Sequence, residues 1–154
     1  METETKFLIF FSISFFLLGF LLSELLHERS KSFEEFRNSI TEENITEKCK
    51  NLTLRESAYC LRDETEKFYK YKITDDSIDL SFEELKELGG DCRSYSFYYE
   101  ELAKRLGFNS TTRAYGGKKD IFPGHRMAFM WDNETYCKLD LLDVSCSVRM
   151  DMRE

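Results

Sequence analysis

Cys92 is the residue of this sequence best suited to nucleophilic chemistry, because it follows Gly89-Gly90-Asp91 at a predicted helix start. Aspartate is a preferred residue immediately before a helix, so Asp91 places Cys92 in the first turn. In a first turn, unpaired backbone amides and the helix dipole favour a thiolate and can stabilise an oxyanion. The competing interpretation is a small buried cysteine without chemistry.

His125 is the only histidine of the predicted folded domain. Residues 125–131 and 136–142 alternate as strands, and Asp132-Asn133 favours a turn between them. If that turn has two residues, His125 faces Asp140 directly, with about 5 Å between the Cβ atoms. The carboxylate would then hold the imidazole in one tautomer and leave the other ring nitrogen to a thiol. The three residues together predict a nucleophile, a base and an orienting acid.

The elements that must position these residues are helices first and strands afterwards. Capping boxes begin two helices, at Thr53 and at Ser81. The helices are predicted from Leu54 to about Tyr71, from Phe82 to the Gly89-Gly90 pair, and from Cys92 to Gly107. Strands are predicted at residues 111–115, 125–131 and 136–142. This order is typical of an α+β domain with helices packed on an antiparallel sheet.

These residues, in this order, resemble the transglutaminase-like superfamily, a branch of the papain-like cysteine enzymes. The matching segments are Gly90-Asp91-Cys92, Tyr95, Leu102-Ala103 with Leu106-Gly107, Gly124-His125 and Leu139-Asp140, preceded by Phe68-Tyr69-Lys70-Tyr71 with Asp75 and Asp76. The resemblance covers about Leu54 to Val144. It implies Cys92 as the nucleophile, His125 as base and acid, and Asp140 as the group that orients His125.

Four positions depart from the commonest pattern of that superfamily. Ser94 stands where an acidic residue is frequent, and Ser96 replaces a usual alanine. Arg126 follows the histidine where a small residue is common, and Leu141 replaces the usual proline after the aspartate. These changes leave the three predicted catalytic residues intact, but they bear on substrate preference. No residue is assigned as the second oxyanion donor.

The N-terminal region divides by composition into a tail, an apolar segment and a polar stretch. The tail is residues 1–6, and Phe7 to Ser23 holds seventeen residues without a charge. That length is at the lower edge for a transmembrane helix, so we predict an anchor at 7–26, with a signal peptide as the alternative. Residues 27–48 are predicted to be a polar stalk, and residues 49–154 the folded domain.

Two features predict that the domain lies outside the cytoplasm, on a single-pass membrane protein. Four of the five asparagines begin a glycosylation sequon, at Asn44, Asn51, Asn109 and Asn133. Chance would supply about one such triplet, given the frequency of Ser and Thr. Cys49 with Cys60 and Cys137 with Cys146 have spacings that local disulfides can close, leaving Cys92 alone. Four reduced core thiols are the alternative.

The predicted function is acyl transfer or amide hydrolysis through a thioester on Cys92, acting on a protein or peptide substrate without a cofactor. A net charge of −7 without a basic block argues against a nucleic-acid partner. A catalytically inactive, glycosylated binding module is the alternative, and a metal site of Cys92, His125 and Asp140 is a third. Lys118 and Lys119 are predicted to lie on the rim of the cleft. Asp143 would orient His125 in place of Asp140 only if the turn between the strands had a different length.

Overall fold

The computed structural model describes residues 2–73, 80–116 and 124–148, and the side chains of 2–15 and 33 lie outside that description. The chain forms two compact units, Met1–Ile40 and Thr41–Glu154. The compact unit that carries the predicted triad therefore begins at Thr41, before the boundary expected at Cys49. Local capping explains the difference, because Thr41 caps a helix whose Ile45 and Cys49 side chains are buried.

The first unit is one long helix, α1 (Glu2–Ser39). Its large apolar side chains from Phe16 to Leu26 are all more than half exposed. Among the described residues, no helix combines the length and the apolar character needed to cross a membrane. The anchor predicted at 7–26 begins in the stretch of α1 whose side chains lie outside the description.

The second unit begins with four helices, whose starts follow the capping residues of the sequence. They are α2 (Glu42–Cys49), α3 (Leu54–Glu66), α4 (Phe82–Leu88) and α5 (Cys92–Arg105). Both predicted capping boxes are confirmed: the Thr53 and Ser81 hydroxyls accept the N3 amides, and the N3 glutamates accept the cap amides. The helix expected to reach Tyr71 ends at Glu66, because the segment beyond it pairs in extended form with Gly90.

The chain then forms a four-stranded antiparallel sheet in the order β1-β2-β3-β4. The strands are β1 (Asn109–Tyr115), β2 (His125–Trp131), β3 (Thr135–Asp140) and β4 (Asp143–Val148). The last predicted strand, residues 136–142, is therefore shorter than expected and is followed by a separate strand. A turn at Leu141, whose φ is 53°, divides them. The α+β fold with helices packed on an antiparallel sheet is confirmed.

The predicted register of the β2–β3 hairpin is wrong by two residues. Trp131 pairs with Tyr136, so four residues, 132–135, lie between the last paired positions. The Asp132 carboxylate causes this longer turn, since it accepts the amides of Glu134 (2.8 Å) and Thr135 (2.6 Å). His125 therefore does not face Asp140 directly. A shift of two residues nevertheless keeps both side chains on one face of the sheet.

The core of the second unit lies between α5, α3 and the sheet. Tyr95, Tyr99 and Leu102 of α5 are at most 1% exposed, and α5 packs against β1, β2 and β3. These three recur at steps of three and four residues, the spacing of one helix face. A single helix therefore carries Cys92 at its first residue and much of the buried surface behind the sheet.

Candidate active site

Cys92 occupies the first residue of α5, and it is the one cysteine outside a disulfide. Asp91 caps the helix: its Oδ1 accepts the amides of Arg93 at 2.8 Å and Ser94 at 3.2 Å. Its other oxygen binds the Arg93 guanidinium at 2.9 and 3.0 Å. The amide of Tyr95 donates to the Asp91 carbonyl. Cys92 is half-buried.

This cap changes what the helix start can offer to an oxyanion. The sequence suggested several unpaired amides in the first turn, but Asp91 already accepts two of them. The amide of Cys92 itself has no hydrogen-bond partner within the described stretches of the chain. The backbone of α5 therefore supplies one free donor, adjacent to the sulfur that would attack.

His125 and Asp140 form a direct hydrogen bond, with 2.6 Å between His125 Nε2 and Asp140 Oδ1. His125 is the first residue of β2 and Asp140 the last of β3, so both lie at the same end of the sheet. Bonding at Nε2 leaves Nδ1 as the ring nitrogen that the carboxylate does not hold. Asp143, the alternative acid, lies across the β3–β4 turn from Asp140 and has an exposed side chain.

The Gly89-Gly90 pair brings the extended segment 69–72 beside the start of α5. Gly90 accepts the amide of Lys72 and donates to the carbonyl of Lys70, each at 3.0 Å. Gly89 has φ 78°, and a Cβ there would clash with the Lys70 carbonyl oxygen. A Cβ on Gly90 would meet Leu85 at 2.6 Å and Ser94 at 2.7 Å. Both positions therefore require glycine, Gly89 because the Lys70 backbone approaches closely and Gly90 because the Leu85 and Ser94 side chains do.

Tyr95 fixes the same segment from the helix side. Its hydroxyl accepts the Lys70 amide at 2.9 Å and donates to the Lys70 carbonyl at 3.3 Å. Its ring lies 4.8 Å from the ring of Tyr69, measured between centroids. Burial raises the pKa of Tyr95 to about 12, so its hydroxyl is a neutral donor at physiological pH.

Tyr69 is a site residue that the sequence did not single out. Burial raises the pKa of Tyr69, and electrostatic interactions with Tyr71, Asp140 and Cys92 raise it further. Tyr69 therefore interacts electrostatically with Cys92, at the start of α5, and with Asp140, at the end of β3. The resemblance noted at Phe68–Tyr71 is the sequence signal at this position, and it does not distinguish Tyr69 from Tyr71.

Arg126, next to His125, fixes the beginning of β2. Its guanidinium lies 5.0 Å from the centroid of the Phe97 ring on α5. Its Nη1 also donates to the Thr112 hydroxyl of β1 at 3.0 Å. From β2, the Arg126 side chain therefore contacts both β1 and α5 beside the histidine. The superfamily commonly has a small residue at this position.

The other sequence predictions fall into three groups. Both disulfides are confirmed, Cys49–Cys60 joining α2 to α3 and Cys137–Cys146 joining β3 to β4. The side chains of all four sequon asparagines are exposed, as a glycan acceptor requires: Asn44, Asn51, Asn109 and Asn133. The positions of Lys118 and Lys119, and of Asp75 and Asp76, lie outside the described residues.

The positions of the described residues also bear on the interpretation of Cys92, His125 and Asp140 as a metal site. Across the described ranges, no three residues of the histidine, cysteine, aspartate and glutamate types cluster closely enough to hold a metal ion. Cys92, His125 and Asp140 therefore do not form such a group. The thiol of Cys92 and the imidazole of His125, which is hydrogen-bonded to Asp140, are groups that nucleophilic acyl chemistry uses.

Comparison with known proteins adds no family to this description: no protein-family model, no curated protein and no solved structure matches the chain.

Proposed function

We propose that this protein is a transglutaminase-like cysteine enzyme that transfers or hydrolyses an acyl group through a thioester on Cys92. The observation that carries the proposal is the 2.6 Å hydrogen bond between His125 Nε2 and Asp140 Oδ1. The carboxylate restricts the imidazole to one tautomer and stabilises the imidazolium that forms during the reaction. The substrate class is an amide of a protein or peptide.

The first half-reaction forms the thioester. His125 takes the thiol proton, and Cys92 Sγ attacks the amide carbonyl carbon. The negative charge moves to the carbonyl oxygen, where the Cys92 amide and the Tyr69 hydroxyl donate hydrogen bonds. As the carbon–nitrogen bond breaks, His125 gives its proton to the departing amine. Tyr69 thus takes the role of second oxyanion donor.

The second half-reaction restores the enzyme. His125 takes a proton from the acceptor, which attacks the thioester carbon. The sulfur leaves as thiolate and regains its proton from His125. An acceptor amine produces a cross-linked amide, whereas water produces a carboxylic acid. Both outcomes use the same residues, so the acceptor alone decides between transfer and hydrolysis.

The decisive experiment is incubation of the full chain with a glutamine peptide and a biotinylated primary amine, followed by mass spectrometry. Transfer adds the amine with loss of ammonia, and hydrolysis converts the glutamine to glutamate. We expect one of these products, reduced roughly a hundredfold or more by Cys92→Ser, His125→Ala or Asp140→Ala. His27→Ala is the matched control, since His27 is the other histidine of the chain. Product that persists in Cys92→Ser would sink the proposal.

We also propose that the domain is extracytoplasmic, held at a membrane by residues 7–26. Support comes from the exposed apolar side chains between Phe16 and Leu26, the two disulfides and the four exposed sequons. Carbonate extraction of membranes from expressing cells should leave the protein in the pellet, and glycosidase treatment should lower its apparent mass. Release by carbonate contradicts the membrane anchor, and an unchanged mass contradicts the glycosylation.

A glycosylated binding module is the second candidate, and one observation favours it. Asp91 engages two first-turn amides that a cysteine nucleophile would otherwise use for an oxyanion. A binding module predicts no product in the peptide assay and no dependence of Cys92 alkylation on His125.

A further inference from the structure

Trp131 lies at the opposite end of β2 from the candidate active site. It is the last residue of the strand, and His125 is the first, so the two are roughly 20 Å apart at 3.3 Å per residue. Trp131 is only partly buried, and it is the single tryptophan of the chain. An indole side chain is therefore accessible to solvent at the far end of the sheet.

The Trp131 side chain lies on the face of the sheet opposite α5. The guanidinium of Arg126, also on β2, lies over the Phe97 ring of α5, and successive residues of a strand point to alternate faces. Odd-numbered residues of β2, Trp131 among them, therefore point away from α5. The Phe129 ring stacks on Tyr136 at 5.5 Å between centroids, and Tyr136 pairs directly with Trp131. The three aromatic side chains thus share one face of the sheet, named here the outer face.

Asn109, which begins a glycosylation sequon, is the direct partner of Trp131 on β1. It is the first residue of that strand, and the register pairs the two residues. Directly paired residues of antiparallel strands point to the same face, with about 5 Å between their Cβ atoms. Asn109 is exposed, and it is the one sequon asparagine that lies on a strand. A sugar attached to its side-chain nitrogen therefore begins beside the Trp131 ring.

The first sugar of an asparagine-linked glycan suits this aromatic surface. One face of a pyranose ring presents C–H groups, and an aromatic ring offers them a flat apolar surface with a negative quadrupole. The hydroxyl groups at the rim of the sugar stay in water, so stacking leaves no polar group buried and unpaired. Trp131 and Tyr136 are both partly exposed, so a sugar on the outer face has access to both rings.

We propose that the glycan on Asn109 folds back onto the outer face, with its first sugar stacked on Trp131. The inference rests on the extracytoplasmic location proposed above, and it gives one of the four glycans a fixed position on the domain. Because Trp131 and His125 lie at opposite ends of β2, the stacked sugar leaves the candidate active site open. β1 is an edge strand, so a sugar on its first residue also hinders pairing with another chain.

The test uses the full chain from cells that attach only high-mannose glycans, with the fluorescence of Trp131 as the readout. Mass spectrometry of the peptide that contains Asn109 first establishes whether it carries a glycan. We expect acrylamide to quench Trp131 about twofold more strongly in Asn109→Gln than in the parent, because the stacked sugar no longer covers the ring. Endoglycosidase H, which trims each glycan to its first sugar, should leave the quenching of the parent unchanged.

A matched variant and a second readout make the result specific to this contact. Asn133→Gln removes a glycan from the adjacent turn and should keep the quenching of the parent. Asn109→Gln should lower Tm by about 4 °C, the shift expected when a domain of this size loses one modest contact. The same substitution in a Trp131→Leu background should change Tm much less, since the stacking surface is already absent.

The outcomes separate this inference from the proposed location of the domain. If Asn109 carries a glycan and the parent and Asn109→Gln are quenched equally, the inference is overturned and the extracytoplasmic location stands. Equal losses of Tm in the two backgrounds, or stronger quenching in Asn133→Gln than in Asn109→Gln, overturn it in the same way. An Asn109 without a glycan also overturns it, and four sequons without glycans contradict the proposed glycosylation as well.

Discussion

The hydroxyl of Tyr99 donates a hydrogen bond to the carbonyl oxygen of Leu141, with 2.8 Å between the two oxygens. Tyr99 belongs to α5, and Leu141 forms the turn immediately after Asp140. The helix that begins at Cys92 therefore also holds the turn that ends the strand of the acid. One helix thus carries Cys92 and contacts the turn next to Asp140, two of the three residues of the predicted triad.

Removal of that bond should loosen Asp140. We expect Tyr99→Phe to lower the free energy of unfolding by about 1 kcal/mol, the usual net value of one hydrogen bond. It should also slow the reaction of Cys92 with iodoacetamide at pH 7, because Asp140 holds His125. Urea denaturation and alkylation rates measure the two effects. Tyr59→Phe, on the outer face of α3, is the control, and equal stability of the two variants contradicts the expectation.

Leu141 has φ 53°, a backbone conformation that favours asparagine or glycine over leucine. Leu141→Asn should therefore raise the free energy of unfolding by about 0.5 kcal/mol, since asparagine tolerates this region. Leu141→Pro should lower it by about 3 kcal/mol or more, because proline fixes φ near −65°. Thermal and urea unfolding test both, with Leu142→Asn as control. A stable Leu141→Pro variant would show that the turn adopts another conformation.

The same turn explains why local sequence patterns identified some features and missed others. The caps at Thr53, Ser81 and Asp91 depend on neighbours within four residues, so residue type alone indicated them. A leucine at positive φ carries no turn signal, and the division of the last strand at Leu141 was therefore not visible. That conformation also excludes the proline that the superfamily usually has there.

The candidate site, like the fold, was predictable from the sequence only in part. His125 and Asp140 were paired correctly by strand alternation although the register was two residues off, because a shift of two keeps the same face. Tyr69 reaches the site only through contacts between segments distant in sequence, those of Tyr95 and Gly90. No pattern within the chain encodes such a contact.

Gly89 should be more sensitive to substitution than any glycine with open space around it. Gly89→Ala adds a clash with the Lys70 carbonyl to the strain of a positive φ. We expect it to lower the free energy of unfolding by about 3 kcal/mol, and to slow Cys92 alkylation by displacing Tyr69. Gly107→Ala is the control, since its φ is 88° and nothing lies within 4 Å. That variant should lose only about 1 kcal/mol.

Glu64 should make stability depend on pH in the acid range. Burial alone would raise its pKa, but hydrogen bonds from Lys48 and Lys67 outweigh burial, and the pKa is lowered. A lowered pKa in the folded state stabilises the protein above the unfolded value of about 4.3, and this contribution is lost as pH falls through the folded value. Glu64→Gln should therefore be less stable than the parent at pH 7, with the difference shrinking below pH 4. Glu66→Gln, exposed on the same helix, is the control, and a pH-independent difference for Glu64→Gln contradicts the assignment.

Substitution of Tyr69 should distinguish an effect on catalysis from an effect on the stability of the fold. Tyr69→Phe keeps the ring that packs on Tyr95 and removes only the hydroxyl proposed as the second oxyanion donor. Loss of one oxyanion donor should reduce product formation about a hundredfold in the glutamine-peptide assay, with little change in KM. Tyr71→Phe, two residues away and half exposed, should retain the parent rate. Unfolding measurements on both variants check that the fold is intact. A Tyr69→Phe enzyme as fast as the parent, or a Tyr71→Phe enzyme equally slow, would remove Tyr69 from the role of second donor.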